Sequence, residues 1–381
     1  MKITSVLFKI SVMIGALSLA TSCGGGNALH SPKGENVEFS YAKNISIERF
    51  DSTYSLVTLR NPWDTTKVQA LYALVDKDAD FPEDIPSAAS VVRTPIDRSV
   101  VYSSVHVSLL DELGVGQAVT GVCDVKYISD KKIRERIDKG IIEDCGNSMS
   151  PNMEKIIASR PGAVLLSPYE NSNDNAKFSG TGIPVVLTAD YLESAPLARA
   201  EWMKFYGLLF GVGDRADSLF NVVEKNYTGL KTKSNRAGSR PKVIFDLIYS
   251  NIWNVPTSGS ATGHLIEDAG GKNPFADHNK AGSAQLAPEE VLVKAQDADI
   301  WFIRYNNADH FTLSWLGSQN PVYRKFKAFS DGNVYVSDTA VSNIFEDGAF
   351  HPDRILASMS AIIHPELTDH PEANKYYRKV Q

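Results

Sequence analysis

The hydrophobic and polar residues of this chain follow two patterns, one before and one after about residue 99. Over residues 37–80 they alternate, as in VEFSYAKNISIERF and TYSLVTLRNPW, which predicts antiparallel strands with a turn near Asn61. From about residue 99, short apolar runs such as AVLLS and KVIFDLIY alternate with helical segments such as Lys131–Asp138 and Pro288–Ala295. Helices between buried strands predict an α/β fold with largely parallel sheets covered on both faces.

The segment 196–234 interrupts this alternation. It carries apolar residues at helical spacing and almost no strand signal, and Gly211 and Gly213 divide it. Its second half predicts a helix of about 20 residues, about 30 Å long. The alternation then restarts, so we expect two α/β lobes separated by a long helix. The predicted parts are an N-terminal lobe over 37–213 that begins with a strand-rich extension over 37–90, an interlobe helix over 214–236 and a C-terminal lobe over 237–381.

The first residues have the pattern of an export signal. In residues 1–22, Lys2 and Lys9 flank an apolar stretch that small residues follow. Cys23 stands directly after those small residues and resembles the processing site of bacterial lipoproteins, where the thiol is acylated; ordinary secretion with an unrelated cysteine is the alternative. The polar, glycine-rich residues 23–36 predict a flexible tether. We therefore expect a periplasmic protein held at a lipid membrane through acylated Cys23.

Composition excludes two classes of protein. The 381 residues include 39 basic and 45 acidic side chains, a net charge of −6, which argues against nucleic-acid binding, since that needs a basic surface. No apolar run after the first twenty residues is long enough to span a bilayer, so a transporter pore is excluded.

Two of the three cysteines raise the question of a disulfide. Cys123 and Cys145 each follow a short β-like run, VTGV and GIIED, and these runs could be neighbouring strands. In an oxidising compartment the two thiols could be bonded. Two buried free thiols are the alternative, and the sequence leaves both open.

The chain shows no catalytic constellation. It lacks a GxxxxGK loop and a GxGxxG loop after a strand, and the GSATG at 259–263 has no central serine. No two of the eight histidines have the spacing of a zinc hydrolase. We expect no catalytic residue and no resident metal or cofactor. The default ligand site is a cleft between the lobes, built from loops at strand ends.

One unit occurs twice in the sequence. Glu154 precedes an apolar pair and the strand AVLLS, and Glu289 precedes an apolar pair and the strand DIWFI. Each glutamate follows a proline that suits a first helical turn. On spacing alone, a favourable interaction with the helix dipole explains both acids.

Several segments together, from about Ser99 to Leu367, resemble the substrate-binding lipoproteins of ABC importers for metal chelates, namely ferric siderophores, haem and corrinoids such as cobalamin. The matching segments are RSVVYSSVHVSLLDELGVGQAVTGV, PNMEKIIASRPGAVLL, EWMKFYGLLFGVGDRADSLFNVVEKNY, TSGSATGHLIEDAGGKNPF and LAPEEVLVKAQDADIWFI. The resemblance implies two Rossmann-like lobes joined by a long rigid helix, with the ligand cleft between them. Residues 37–90 are an addition to the family pattern.

The resemblance also implies partners. It assigns Glu154 and Glu289 to docking on arginines of an ABC permease, which works with an ATPase, and Glu290 competes for the second position. Separated carboxylates on one face give docking orientation and speed more than affinity. We expect a monomer that binds a metal-chelate ligand and resists wide hinge closure because of its rigid helix.

Strand-end loops supply the predicted ligand wall. Aromatic side chains there would cover the flat faces of a large chelate, and an arginine would pair with its acidic groups. For each residue alone, the edge of the core or a solvated surface is an equal alternative. The predicted ligand-binding residues are His106, Tyr127, Tyr169, Trp253, Arg304 and Tyr305.

Two other functions stay open at this point. A zinc receptor of the related two-lobe type would need several histidines at the cleft, where only His106 is well placed. An exported hydrolase would need an acid/base cluster that the sequence does not show. The choice among siderophore, haem and corrinoid is also open.

Overall fold

The computed structural model describes most of the chain after the first 33 residues. The predicted signal, the predicted acylation site Cys23 and most of the predicted tether therefore lie outside the described residues. Within the described part, no helix combines the length and apolarity needed to cross a membrane. The described residues are 34–50, 54–64, 66–170, 172, 174–278, 281–367 and 375–381.

The alternating segment at the start forms a five-stranded sheet, in which each strand pairs with the next along the chain. All pairs are antiparallel except the last, which is parallel. One face buries Val57, Leu59 and Tyr72 in the main hydrophobic core, which is why polar and apolar residues alternate. The strands are β1 (Glu35–Val37), β2 (Ile45–Phe50), β3 (Tyr54–Arg60), β4 (Val68–Asp76) and β5 (Ser90–Thr94).

The N-terminal lobe follows as a parallel sheet with helices between its strands. Its order is β12-β11-β6-β7-β8, and β9 and β10 form a separate small hairpin. The inner strands of this sheet are short and mostly apolar because both faces are covered, whereas the edge strand Glu143–Asp144 is polar. The elements are β6 (Ser99–Val101), α1 (Ser104–Glu112), β7 (Val119–Val122), α2 (Lys131–Asp138), β8 (Glu143–Asp144), β9 (Gly146–Asn147), β10 (Ser150–Pro151), α3 (Met153–Ala158), β11 (Ala163–Leu166), α4 (Asp174–Lys177) and β12 (Val185–Leu187).

Three helices connect the two sheets: α5 (Pro196–Glu201), α6 (Met203–Leu209) and α7 (Gly213–Ser234). The last has 22 residues, which corresponds to about 33 Å at the α-helical rise. It buries Phe220, Val223 and Tyr227 along one stripe, as expected for an amphipathic helix.

Two buried carboxylates, Glu193 just before α5 and Glu201 at its last residue, hold the start of the extension. Glu201 accepts hydrogen bonds from the backbone N–H groups of Ser40, Tyr41 and Ala42, each at 2.8 Å. Glu193 accepts hydrogen bonds from the backbone N–H groups of Lys43 and Asn44, at 3.0 and 2.8 Å. Five consecutive amides, which we call the 40–44 strap, are therefore bound by two side chains.

The C-terminal lobe has a main sheet of order β13-β17-β18-β19 and a separate antiparallel sheet of order β14-β15-β16. The run KVIFDLIY, which reads as one strand, is split between them because Asp246 adopts a left-handed conformation with φ 54°. The elements are β13 (Val243–Phe245), β14 (Ile248–Tyr249), β15 (Ile252–Pro256), α8 (Ala261–Asp268), β16 (Ser283–Leu286), α9 (Pro288–Ala295), β17 (Ile300–Tyr305), α10 (Leu313–Gln319), α11 (Lys327–Ser330), β18 (Val334–Asp338), α12 (Ile344–Phe350), α13 (Pro352–Ile363) and β19 (Arg378–Lys379).

The last two helices return to the N-terminal lobe. Helix α12 packs on α1, and α13 packs on α7. Glu112 of α1 lies 2.6 Å from the Nε2 of His351 and 3.4 Å from Arg354. Although burial opposes ionisation of Glu112, these two neighbours hold its pKa below the usual value. The two-lobed α/β fold predicted from the sequence is confirmed, and α7 is one of several connections between its lobes.

Candidate functional site

A groove of about 630 Å³ lies between the lobes, where the carboxyl ends of their parallel strands meet. Residues of both lobes line it because β6, β7, β17 and β18 all end at its edges. Their loops and the start of α12 therefore form its walls. The lining residues are Ser104, Lys126, Tyr127, Ile128, Ser129, Arg134, Asn306, Asn307, Thr339, Ala340, Phe345 and Glu346.

A smaller cavity of about 200 Å³ opens on the N-terminal wall of this groove. It shares Ser104 and Tyr127 with the groove, so the two spaces adjoin. Asp124 borders it in a left-handed conformation with φ 51°. The Asp124 carboxylate accepts hydrogen bonds from Asn147 Nδ2 at 2.9 Å and from the Ser148 hydroxyl, and so fixes the adjacent turn.

Two tyrosines are the most prominent side chains of this wall. Tyr127 is 63% exposed and Tyr169 is 50% exposed, and both line the smaller cavity. The ammonium group of Lys126 lies 4.6 Å from the centre of the Tyr127 ring. Such rings can cover an extended planar surface, and their phenolic oxygens can accept or donate hydrogen bonds. The structure places both predicted residues at the same site.

Tyr191 supports the loop that carries Tyr169. Its hydroxyl donates a hydrogen bond to the carbonyl oxygen of Pro168. Burial raises the pKa of Tyr191 to about 12, and nearby Tyr169 and Asp190 add to the effect. The Tyr191 hydroxyl therefore stays protonated at neutral pH and remains a donor that holds this loop.

Two predicted residues of the C-terminal lobe, Arg304 and Tyr305, do not belong to the lining of the groove. Arg304 forms a two-point ion pair with Asp246, in which its Nε lies 3.1 Å from Oδ1. Despite burial, the Asp246 carboxylate raises the pKa of Arg304. The ring of Tyr305 packs on Phe311 and Trp315, each with ring centres 5.2 Å apart. The next residues along the chain, Asn306 and Asn307, line the groove instead.

Two predicted ligand residues are wrong, because the structure buries them. His106 is 3% exposed and its Nε2 lies 2.7 Å from Asp190 Oδ1, inside the core. Trp253 is fully buried, and its indole N–H donates to the carbonyl oxygen of Phe245 at 2.8 Å. Its ring packs at a tilt of 34° against that of Trp301, with ring centres 5.7 Å apart. Both side chains have structural roles in the protein interior, and neither belongs to the groove lining.

The cysteines at the ends of β7 and β8 are buried free thiols in this structure. The backbone N–H of Cys145 donates to the carbonyl oxygen of Val122 at 2.8 Å, which joins the two strand ends. The disulfide between Cys123 and Cys145 is not formed, although its two strands are neighbours as expected.

The two glutamates of the repeated unit both lie on the surface in the first turns of helices, Glu154 on α3 and Glu289 on α9. Glu290 has a local role, since its carboxylate accepts a hydrogen bond from the Ala287 backbone N–H at 3.2 Å. Glu289 and Glu290 are both exposed, so the structure does not decide between them, and Glu289 remains the predicted docking residue. Its role in docking stays a prediction.

Sequence reasoning missed several groove residues. Asn306 and Asn307 come one and two residues after Tyr305, which was selected because it ends a strand. Extending the same strand-end rule by two residues would have found them. Phe345 and Glu346 come from α12, and no strand-end signal points to a helix. Among the described residues, no group of three or more histidines, cysteines or acids is arranged to hold a metal ion.

Comparisons with known proteins agree with this architecture. A lipoprotein of Methanocaldococcus jannaschii described as uncharacterized is 29% identical over 351 residues, covering 86% of this chain and 81% of the relative. The iron-uptake system-binding protein of Bacillus subtilis is 26% identical over 253 residues, covering 65% of this chain and 76% of the relative.

Solved structures show the same fold. The periplasmic heme-binding protein RhuT of Roseiflexus in its apo form superposes with a TM-score of 0.58 at 19% identity, covering 71% of this chain and 99% of that one. The periplasmic heme-binding protein HutB of Vibrio cholerae superposes with a TM-score of 0.56 at 16% identity, covering 68% of this chain and 98% of that one. A family model described as periplasmic binding protein matches residues 100–341, more than half of the chain. The chain therefore belongs to the periplasmic binding protein family.

Proposed function

We propose that this protein is the substrate-binding component of an ABC importer and captures an iron chelate, either a ferric siderophore or haem, or else a corrinoid such as cobalamin. The single observation that carries the proposal is the groove between the lobes, with exposed Tyr127 shared between it and the cavity on its N-terminal wall. The ligand is held and handed on unchanged. The similar proteins described above include one that is named for iron uptake and two that are named for heme binding.

The charged side chains that line the groove favour an anionic ligand. Lys126 and Arg134 contribute two positive charges to its lining, and Glu346 contributes one negative charge. Arg134 also donates to the carbonyl oxygen of Ile128 at 2.6 Å, which fixes the loop beneath Tyr127. A ferric chelate with acidic groups would be attracted to this balance of charge.

Delivery to a permease is the second half of the proposal. Glu154 and Glu289 are exposed acids at the starts of two helices, one in each lobe. We assign them to contacts with arginines of the permease, which would set the orientation of docking and its rate. The membrane anchor would be acylated Cys23, and the complete importer would include an ATPase.

Titration of the protein's tryptophan fluorescence with a ligand panel tests the function. The panel contains haem, a ferric hydroxamate, a ferric catecholate, ferric citrate, cyanocobalamin and zinc chloride. We expect at least one iron chelate or the corrinoid to bind with a Kd below about 1 µM. Tyr127→Ala should weaken that binding at least about tenfold.

The matched control is Tyr249→Ala, which removes a 78% exposed tyrosine outside the groove lining. This variant should bind like the wild type. Binding of none of the chelates below about 100 µM would remove the proposed ligand class. Tight binding of zinc alone would favour the zinc receptor instead.

A further inference from the structure

Glu346 is a buried carboxylate on the wall of the groove. It is 9% exposed, and it is one of the residues that line the groove. It belongs to α12 of the C-terminal lobe and contacts Ser129 of the N-terminal lobe. The side chain therefore lies where the two lobes meet, at the edge of the space that we assign to the ligand.

The hydrogen bonds of Glu346 are incomplete. The Ser129 hydroxyl lies 3.1 Å from Glu346 Oε1 and 2.7 Å from Asn343 Oδ1. A hydroxyl has one proton to donate, and the shorter contact receives it. Within the part of the chain that the structure describes, the Glu346 carboxylate has no other hydrogen-bond donor and no ion-pair partner. A buried carboxylate can accept several hydrogen bonds, and it destabilises the folded protein when they are missing.

The next residue along α12 shows an acid whose contacts are complete. Asp347 pairs with Lys375 at 3.0 Å and with Arg354 at 3.6 Å. It also accepts a hydrogen bond from the Tyr376 hydroxyl at 2.6 Å. Both acids belong to the first turn of the helix, so its dipole favours both. The dipole therefore does not account for the position of Glu346 on the groove wall.

The cations of the groove do not neutralise Glu346. Lys126 and Arg134 line the same groove, but neither is an ion-pair partner of this carboxylate among the described residues. Arg134 donates instead to the carbonyl oxygen of Ile128 at 2.6 Å. An anionic group placed against Glu346 would be repelled, whereas an N–H donor would be attracted.

We propose that Glu346 is a specificity-determining residue of the groove, whose carboxylate accepts a hydrogen bond from an N–H group of the bound chelate. Either an ammonium group or a carboxamide provides such a donor, and an ammonium group also neutralises the carboxylate. A chelate with its acidic groups near Lys126 or Arg134 and its N–H group on Glu346 is held in one orientation. The assignment of the donor to a chelate rests on the proposed function, but the subsite itself can be tested without it.

The first experiment measures thermal unfolding with two matched pairs of additives. Methylammonium chloride has N–H groups and tetramethylammonium chloride has none. Acetamide and N,N-dimethylacetamide form the corresponding uncharged pair. At equal concentrations, the N–H member of at least one pair should raise the Tm of the wild type above that of its methylated partner. This difference should vanish in Glu346→Met, and the pair that shows it identifies the donor as ammonium or amide.

Controls separate this effect from a general effect of the additives. Glu48→Met removes an exposed glutamate and should keep the difference. Glu346→Gln keeps an acceptor oxygen without the charge, so it should respond less than the wild type to methylammonium. No difference in the wild type, or an equal difference in the wild type and Glu346→Met, would overturn the subsite.

Stability without additives gives an independent reading. Glu346→Met should unfold at the same or a higher temperature than the wild type, because it loses an uncompensated buried charge. A clearly lower Tm would show that the protein itself satisfies this carboxylate, which contradicts the proposal.

The second experiment compares chelates with and without N–H groups. Ferrioxamine B carries an ammonium group and cyanocobalamin carries carboxamides, whereas haem and ferric citrate have no N–H group. Glu346→Met should weaken binding of a chelate of the first kind at least about tenfold. Haem and ferric citrate should bind within about threefold of the wild type, or more tightly, because the variant loses a negative charge.

The outcomes distinguish this subsite from the proposed function. Equal weakening of all chelates by Glu346→Met would contradict the subsite. Wild-type binding of haem or ferric citrate alone would keep the proposed function and contradict the role of Glu346. If the wild type binds none of the four, the proposed function loses these ligands, and the Tm comparison decides the subsite.

Discussion

At the scale of single residues, the two buried cysteines have a definite chemical consequence. Burial raises the pKa of Cys145 to about 11, and it raises the pKa of Cys123 further. The reactive thiolate is therefore scarce at neutral pH. An alkylating reagent should leave both residues unmodified in the folded protein, and both should be modified after unfolding without reductant. Mass spectrometry of the peptides that contain them measures this directly.

The same measurement tests for a disulfide. If the bond forms in an oxidising compartment, neither cysteine reacts after unfolding until a reductant is added. Rapid modification of Cys145 in the folded protein would contradict its burial. A protein unfolded with reductant serves as the fully labelled control.

Individual site residues could be predicted from the sequence only in part. The strand-end rule found Tyr127 and Tyr169, because loops at the carboxyl ends of parallel strands meet at one edge. The same rule failed for His106 and Trp253, because a position in the chain does not give the direction of a side chain. His106 turns into the core towards Asp190, which lies 84 residues away in sequence.

At the scale of elements, the attachment of the 40–44 strap depends on Glu201, which is fully buried. The side chain accepts three backbone hydrogen bonds as a carboxylate and also pairs with Lys204 at 3.2 Å. Hydrogen bonds to a charged acceptor contribute about 1.5–3 kcal/mol. Glu201→Gln should lower the free energy of unfolding by about 2 kcal/mol, because an amide group would face several donors with one acceptor.

Urea unfolding followed by circular dichroism checks this expectation. Glu48→Gln makes the same chemical change at an exposed position of β2 and should alter the free energy of unfolding by less than about 0.5 kcal/mol. Equal midpoints for Glu201→Gln and Glu48→Gln would show that the strap is not held through Glu201.

Helices with a periodic apolar pattern are the elements that the sequence predicts well. Helices α2 and α9 begin and end at the predicted residues, because their apolar spacing and flanking residues agree. The two-residue strands β8 and β14 do not carry enough residues to show a period. The break at Asp246 depends on a single backbone angle, which apolar patterning does not encode.

At the scale of the whole molecule, several contacts join the lobes besides α7. Ser129 of the N-terminal lobe donates to Asn343 at 2.7 Å, and Glu112 lies 2.6 Å from His351. Both contacts would have to break for a wide hinge motion. We therefore expect the radius of gyration from solution scattering to change by less than about 1 Å when a chelate binds. A clamshell closure of several ångströms would contradict this expectation.

The division into two lobes was predictable because the chain repeats its strand–helix alternation on either side of a helical segment. The site at which the N-terminal extension attaches to the rest of the protein was not predictable. Its strands alternate visibly, but the residues that attach it, Glu193 and Glu201, stand about 150 residues later and look like ordinary helix acids. Contacts over such a separation leave no local pattern.

The 40–44 strap is bound by Glu193 and Glu201 through backbone N–H groups, which every residue except proline provides. At Ser40 and Lys43, whose side chains point to solvent, nearly any substitution should preserve the attachment, and proline alone should release it. Substitutions of these two side chains should therefore be tolerated far better than substitutions of Glu193 or Glu201, although the segment fixes the place where the five-stranded sheet joins the N-terminal lobe.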